Sequence, residues 1–171
     1  SNAMSGRISA DGMNIELGGF TLSRKEISSL DRINIVACGS AFYASLVGVD
    51  FLRKFTNITV EAFRASEFPA KSVCSKRTLT IGVSQSGETK DTLDALQKAK
   101  LHGSNISSFC NVIGSTISRI TGNGAYLHAG PEYAVASTKV VSNMIISFAL
   151  LALSLSEKPS QNNKIISEMR R

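Results

Sequence analysis

Tryptophan is absent from this 171-residue chain and aromatic residues make up only 6% of it, so few planar side chains are available for unpaired bases to stack on. Positive charge is in mild excess, nineteen Lys and Arg against thirteen Asp and Glu for a net charge of +6. No basic run exceeds two residues, however, as at Arg24-Lys25 and Lys76-Arg77. Without a basic stripe or stacking platforms, nucleic acid is not an expected partner. A membrane is not expected either. The longest apolar stretch, Val140 to Leu155, is interrupted by Ser142, Asn143, Ser147 and Ser154, and it falls short of the roughly 20 mainly apolar residues a span requires. Cys38, Cys74 and Cys110 are odd in number and share no Cys-x-x-Cys spacing, which points neither to a disulfide framework nor to a zinc site and fits a reduced cytoplasm. With only three Pro and 43% hydrophobic residues, the chain is expected to form one compact domain.

Ser1-Asn2-Ala3 has the look of an expression-tag remnant, and residues 4–31 read as a linker or lead-in, with loose apolar periodicity outside the core. Residues 32–157 carry the fold. Ile33 to Cys38, Ile58 to Phe63 and Thr78 to Val83 are short β-branched runs of the kind that become buried strands, with weaker versions at Asn105–Cys110 and Ala125–His128. Helical windows lie between them at Phe42–Lys54, Glu88–His102 (ended by Gly103) and Ser137–Ser156. This alternation implies an α/β architecture with a parallel sheet covered on both faces. Pro159 and the polar residues after it, 158–163, read as a linker, and the residues to 171 as the start of a following helix. The 137–156 window is apolar around most of its circumference, which predicts that other structure must cover it, through association into a homodimer.

In an open parallel sheet the ligand site lies beyond the carboxyl ends of the strands, and three junctions there are rich in hydroxyls. Cys38-Gly39-Ser40-Ala41 offers a tight turn with Ser40 as a helix cap, but it is not the glycine pattern of a dinucleotide site and lacks an acidic ribose partner downstream. Ser84-Gln85-Ser86-Gly87-Glu88-Thr89 places three hydroxyls in six residues where a strand meets a helix. Hydroxyl donors and free N–H groups at the positive end of a helix dipole suit a phosphate dianion. The loop has no lysine, so a sugar monophosphate fits better than a magnesium-bound triphosphate. Glu88 counts against an anion there unless its side chain turns away. The third junction is Gly130-Pro131 through Lys139, with Ser137 as a candidate cap. His102 and His128 have no neighbouring carboxylate to make either a base, and neither has metal-ligand spacing. Asp91 and Asp94 read as a solvated helix face.

Taken together, Ala37 to Ala41, Ser84 to Thr89 and Val135-Ala136-Ser137-Thr138-Lys139 resemble the sugar isomerase (SIS) domain. The last of these, with Gly6-Arg7-Ile8-Ser9 and Ser66-Glu67-Phe68, is similar to the first of two SIS lobes in the glutamine–fructose-6-phosphate aminotransferase (isomerizing), or glucosamine-6-phosphate synthase, family. The resemblance implies a flavodoxin-like three-layer sandwich with a five-stranded parallel sheet. It makes Ser84, Gln85, Ser86 and Thr89 the phosphate cradle and puts Ser40, Val135, Ala136 and Ser137 near the sugar, with fructose 6-phosphate or glucosamine 6-phosphate as ligand and no metal or organic cofactor. Ala41 departs from the family pattern, which carries a hydroxyl there.

The resemblance also implies partners outside these residues: an amidotransferase domain with a cysteine nucleophile, and a second SIS lobe carrying the groups for ring opening and isomerisation. The chain then reads as an excised substrate-binding lobe, inactive alone. A free-standing phosphosugar isomerase and a non-catalytic sugar-phosphate sensor lobe of a regulator are the other readings on the same fold.

Overall fold

The computed structural model describes residues 7, 8, 15, 17–20, 22–130 and 138–156. Strands β1 (Arg32–Ala37), β2 (Thr59–Arg64), β3 (Thr78–Ser84), β4 (Asn105–Cys110) and β5 (Gly124–Tyr126) form one sheet in the order β2-β1-β3-β4-β5, every neighbouring pair parallel. The helices are α1 (Arg24–Ser28), α2 (Gly39–Phe55), α3 (Ala70–Val73), α4 (Lys90–Leu101), α5 (Thr116–Thr121) and α6 (Thr138–Leu155). A three-layer α/β sandwich with a five-stranded parallel sheet is therefore the observed architecture.

Period-two alternation sorts the strand side chains between two cores. Ile33, Ile35, Leu79, Ile81 and Phe109 join α2 and α6 in one cluster, while Val36 and Cys110 join α3, α4 and α5 in the other. Two glycines let the helices come close. A Cβ on Gly48 in α2 would sit 2.5 Å from Cγ of Phe148 in α6, and a Cβ on Gly82 in β3 would sit 2.5 Å from Cδ1 of Leu96 in α4. Phe148 in turn packs on Phe109 with ring centroids 5.0 Å apart, so the α2–α6 crossing is locked to the centre of the sheet.

Several expectations change against the structure. The apolar circumference of α6 is covered largely from within the chain: Val140, Met144, Phe148, Leu150, Leu151 and Ala152 are buried, with Ser147 beside them. The ground for expecting a second copy on α6 is thereby removed, because α2 shares the work of covering it with the sheet. The exposed large apolar residues of the helices lie mostly on α2, at Tyr43, Leu46 and Val47. The lead-in is also not outside the core. Leu17 and Leu30 are buried in it, and Gly19 pairs with Gly124 on the free edge of β5, its carbonyl accepting from the Gly124 amide at 3.1 Å. Arg7, only 5% exposed, donates to the carbonyl of Tyr126 and, at 3.2 Å, to Oγ of Ser147. Its burial lowers its pKa. Unpaired edge groups invite such cover.

The α2–α6 contact is open to a direct test. Gly48→Ala is expected to lose about 1–2 kcal/mol of stability, because overpacking against a fixed aromatic ring, at the upper part of the usual range of about 1–3 kcal/mol, outweighs the roughly 1 kcal/mol that Ala gains over Gly in a helix. A urea titration checks this, and an unchanged or raised midpoint would show that the helices can part at no cost.

Candidate functional site

β3 ends at Ser84, which is buried although its side chain is polar. Its Oγ accepts from the amide of Gly87 at 3.0 Å and lies 2.8 Å from Oγ1 of Thr89. The bonds fold residues 84–89 back on themselves, and Gly87 completes the turn at φ 67°, a conformation costly for a residue with a side chain. Ser86 is exposed, and its Oγ accepts from the amide of Glu88 at 3.1 Å. Each hydroxyl has one O–H to give. Ser86 accepts here, so its proton is left to donate, and the Ser84–Thr89 pair uses one proton between the two oxygens and leaves the other.

Thr89 is the N-cap of α4 but makes no side-chain bond to the first-turn amides, since its oxygen is taken up with Ser84. Cys38, the N-cap of α2, likewise makes none. α2 and α4 start at the carboxyl ends of β1 and β3, which are adjacent in the sheet with Ala37 opposite Val83. Two helix N-termini without side-chain caps thus lie side by side, each with N–H donors and a positive dipole end. Cys38 Sγ, 3.8 Å from Oγ1 of Thr92, joins the first junction to the first turn of α4.

Glu88 turns away from this cradle. Its Oε1 accepts from the amide of Thr116 at 2.8 Å, at the start of α5. Bonds from the Thr116 amide and hydroxyl hold its carboxyl below the usual carboxylate range. The same edge is pinned twice more, by the Ile117 amide on the carbonyl of Gly87 at 2.9 Å and the Asn111 amide on the carbonyl of Gln85 at 3.1 Å. Asn111 also bonds forward: its Nδ2 donates to the carbonyl of Gly130 at 3.0 Å and its Oδ1 accepts from the amide of Ala129 at 2.9 Å. It therefore links the second junction to the approach of the third.

Of the expected site residues, Ser84, Gln85, Ser86 and Thr89 are in one turn, with Gln85 and Ser86 exposed, Thr89 half-buried and Ser84 buried beneath them. Ser40 is exposed at the neighbouring helix start, but it does not cap: α2 begins at Gly39, so Ser40 lies inside the first turn. Val135, Ala136 and Ser137 lie outside the described residues. α4 begins at Lys90, later than Glu88, because the Ser84–Thr89 bond keeps the turn out of helical geometry. β5 is shorter than expected because His128 leaves the strand at φ 52°. His128 and His102 are both exposed, and among the described residues neither has a carboxylate partner. Burial pushes the Cys110 thiol up to about 11, leaving it protonated and a poor nucleophile. A cavity of about 230 Å³ lined by Ser108, Ser118, Asn123 and Tyr126, among others, contains none of these candidates.

Glu88, Asn111 and Thr116 were not among the expected site residues. An Asn directly after β4 is a recognisable sign of a loop tie, but nothing local reveals that Glu88 reaches a helix 28 residues onward. What the arrangement offers chemically is a small set of O–H and N–H donors around two dipole ends, suited to hold an anion. The described residues supply no positioned base.

The profile of the SIS domain matches residues 26–154. The chain is 42% identical over 154 residues to the glutamine–fructose-6-phosphate aminotransferase (isomerizing) of Clostridium tetani, a match spanning 90% of this chain and 25% of the relative. It is 39% identical over 176 residues to that of Caldanaerobacter subterraneus subsp. tengcongensis, spanning 99% of this chain and 29% of the relative. The C-terminal domain of glucosamine-fructose-6-phosphate aminotransferase from Francisella tularensis superposes with a TM-score of 0.86 at 26% identity, over 99% of this chain and 48% of that one. The chain thus spans about a quarter of the curated relatives it matches and about half of that solved neighbour. With the matched profile lying over the whole sheet and the hydroxyl-rich turn, the chain belongs to the SIS domain family.

Proposed function

We propose that this chain is the sugar-phosphate-binding lobe of a cytoplasmic glucosamine-6-phosphate synthase, with fructose 6-phosphate or glucosamine 6-phosphate as its ligand. The observation that carries the reading is the 84–89 turn, in which Glu88 is withdrawn to Thr116 while hydroxyl protons and the amides of α4 are left for an anion. Ser86 and Thr89 donate to the phosphate with Gln85 beside them in the cradle, and Ser84 holds them in place from beneath. Ser40 at the start of α2 and the segment with Val135, Ala136 and Ser137 complete the sugar side. Relatives of about 40% identity carry the aminotransferase name, which supports the choice of ligand. The second SIS lobe and the amidotransferase domain belong to the intact protein under this reading, and ring opening and ammonia transfer take place there.

Calorimetric titration separates the ligands. Glucosamine 6-phosphate is expected to bind and glucosamine not, and equal or absent binding of the two would refute the assignment of the turn. Ser86→Ala is expected to weaken phosphate binding by about 1.5–3 kcal/mol, the worth of one charge-assisted hydrogen bond. A coupled assay for glucose 6-phosphate should register no isomerisation of fructose 6-phosphate by the chain alone, for want of a poised base. Turnover that survives repurification and vanishes on changing His102 or His128 would favour a free-standing isomerase.

A further inference from the structure

We propose that Glu88 is a positioning residue for anion binding: by capping α5 it fixes the 84–89 turn and keeps its own charge out of the cradle that the turn forms. The inference rests on the sugar-phosphate reading of that turn. Glu88 immediately precedes Thr89, and Thr89 leaves the start of the twelve-residue α4 without a side-chain cap. A carboxylate so close to open first-turn amides is attracted to them and competes with any anion arriving from solution.

The fold supplies a different partner. Ser115, the N-cap of α5, makes no side-chain bond to the amides of its own helix, and Glu88 takes that place by accepting from Thr116. The next amide, Ile117, bonds the carbonyl of Gly87. Two successive amides of α5 are therefore matched to two successive residues of the turn. The fit leaves little slack, since a Cβ on Gly87 would come within 2.0 Å of Oγ of Ser115. If Glu88 lost its partner, both the tether and the withdrawal of its charge would go.

A double-mutant cycle in the full chain tests this. Glu88→Ala removes the acceptor, and Thr116→Pro removes the donors of the pair, the backbone amide together with the side-chain hydroxyl. Proline is well tolerated at the first position of a helix, and Ser115 before it already has φ −61° and ψ 161°, the extended conformation a following proline demands. Glu88→Gln keeps an oxygen acceptor and drops the charge. Each variant is titrated with glucosamine 6-phosphate and melted.

Glu88→Ala and Thr116→Pro are each expected to weaken binding by about three- to tenfold, the span of a single hydrogen bond. The double variant should be no weaker than either alone. Glu88→Gln should bind as tightly as the unaltered chain or more tightly. Unchanged affinity in Glu88→Ala, additive losses in the double variant, or equal losses in the Ala and Gln variants would each overturn the proposal. Failure of the unaltered chain to bind would refute the ligand reading instead. Amide exchange at Gly87 and Glu88 then decides the positioning role: faster exchange in Glu88→Ala and Thr116→Pro but not in Glu88→Gln supports it, and exchange alike in all four proteins overturns it.

Discussion

The Ser84 hydroxyl organises the carboxyl edge of the sheet. Buried at the last position of β3, it accepts the Gly87 amide and pairs with Thr89, and those two bonds set where the turn closes and where α4 begins. A buried hydroxyl left unpaired would be costly, so the protein has reason to keep the turn closed whether or not a ligand is present. The consequence for Thr89 is that its oxygen cannot cap its own helix, and the positive end of α4 stays available. The open N-terminal end of α4 is thus a by-product of how one buried polar group is satisfied.

The rest of the structure holds that edge in register. Parallel pairing places the ends of β1 and β3 together, the close approach at Gly82 brings α4 onto one face of the sheet, and that at Gly48 brings α2 against α6 in the core on the other face. Further along, Asn111 and α5 pin the turn from the β4 side. Mobility in the turn would tax affinity, because every donor that must be ordered on binding costs entropy. A turn tied by three hydrogen bonds to Asn111 and the start of α5 avoids much of that cost.

Much of this is legible in the sequence, for reasons that differ by element. Ile33 to Ala37 and Thr78 to Val83 are short, β-branched and bounded by breakers, and Leu93, Leu96 and Ala99 in α4 recur at helical spacing, so local pattern and tertiary role coincide. α5 is hidden because Thr116, Ile117, Ile120 and Thr121 favour strands, and only contacts from outside, Glu88 among them, make the segment helical. The three-loop likeness finds the hydroxyl-bearing turn, and Ser84 to Thr89 do come together. It cannot find Glu88 turned outward or Asn111 joining two loops, because both depend on contacts between residues 18 to 28 positions apart. The lead-in misleads for the opposite reason: Arg7 and Leu17 have no local periodicity, yet the free edge of β5 gives them somewhere to be buried.

The central claim is that the 84–89 turn is the seat of a sugar phosphate. A crystal structure of the chain with fructose 6-phosphate tests it most directly. The account predicts a phosphate group within hydrogen-bond distance of Ser86 Oγ and Thr89 Oγ1, at the start of α4, with Glu88 still on the amide of Thr116. A phosphate seated elsewhere, or a Glu88 carboxylate folded back onto α4 in its place, would contradict it.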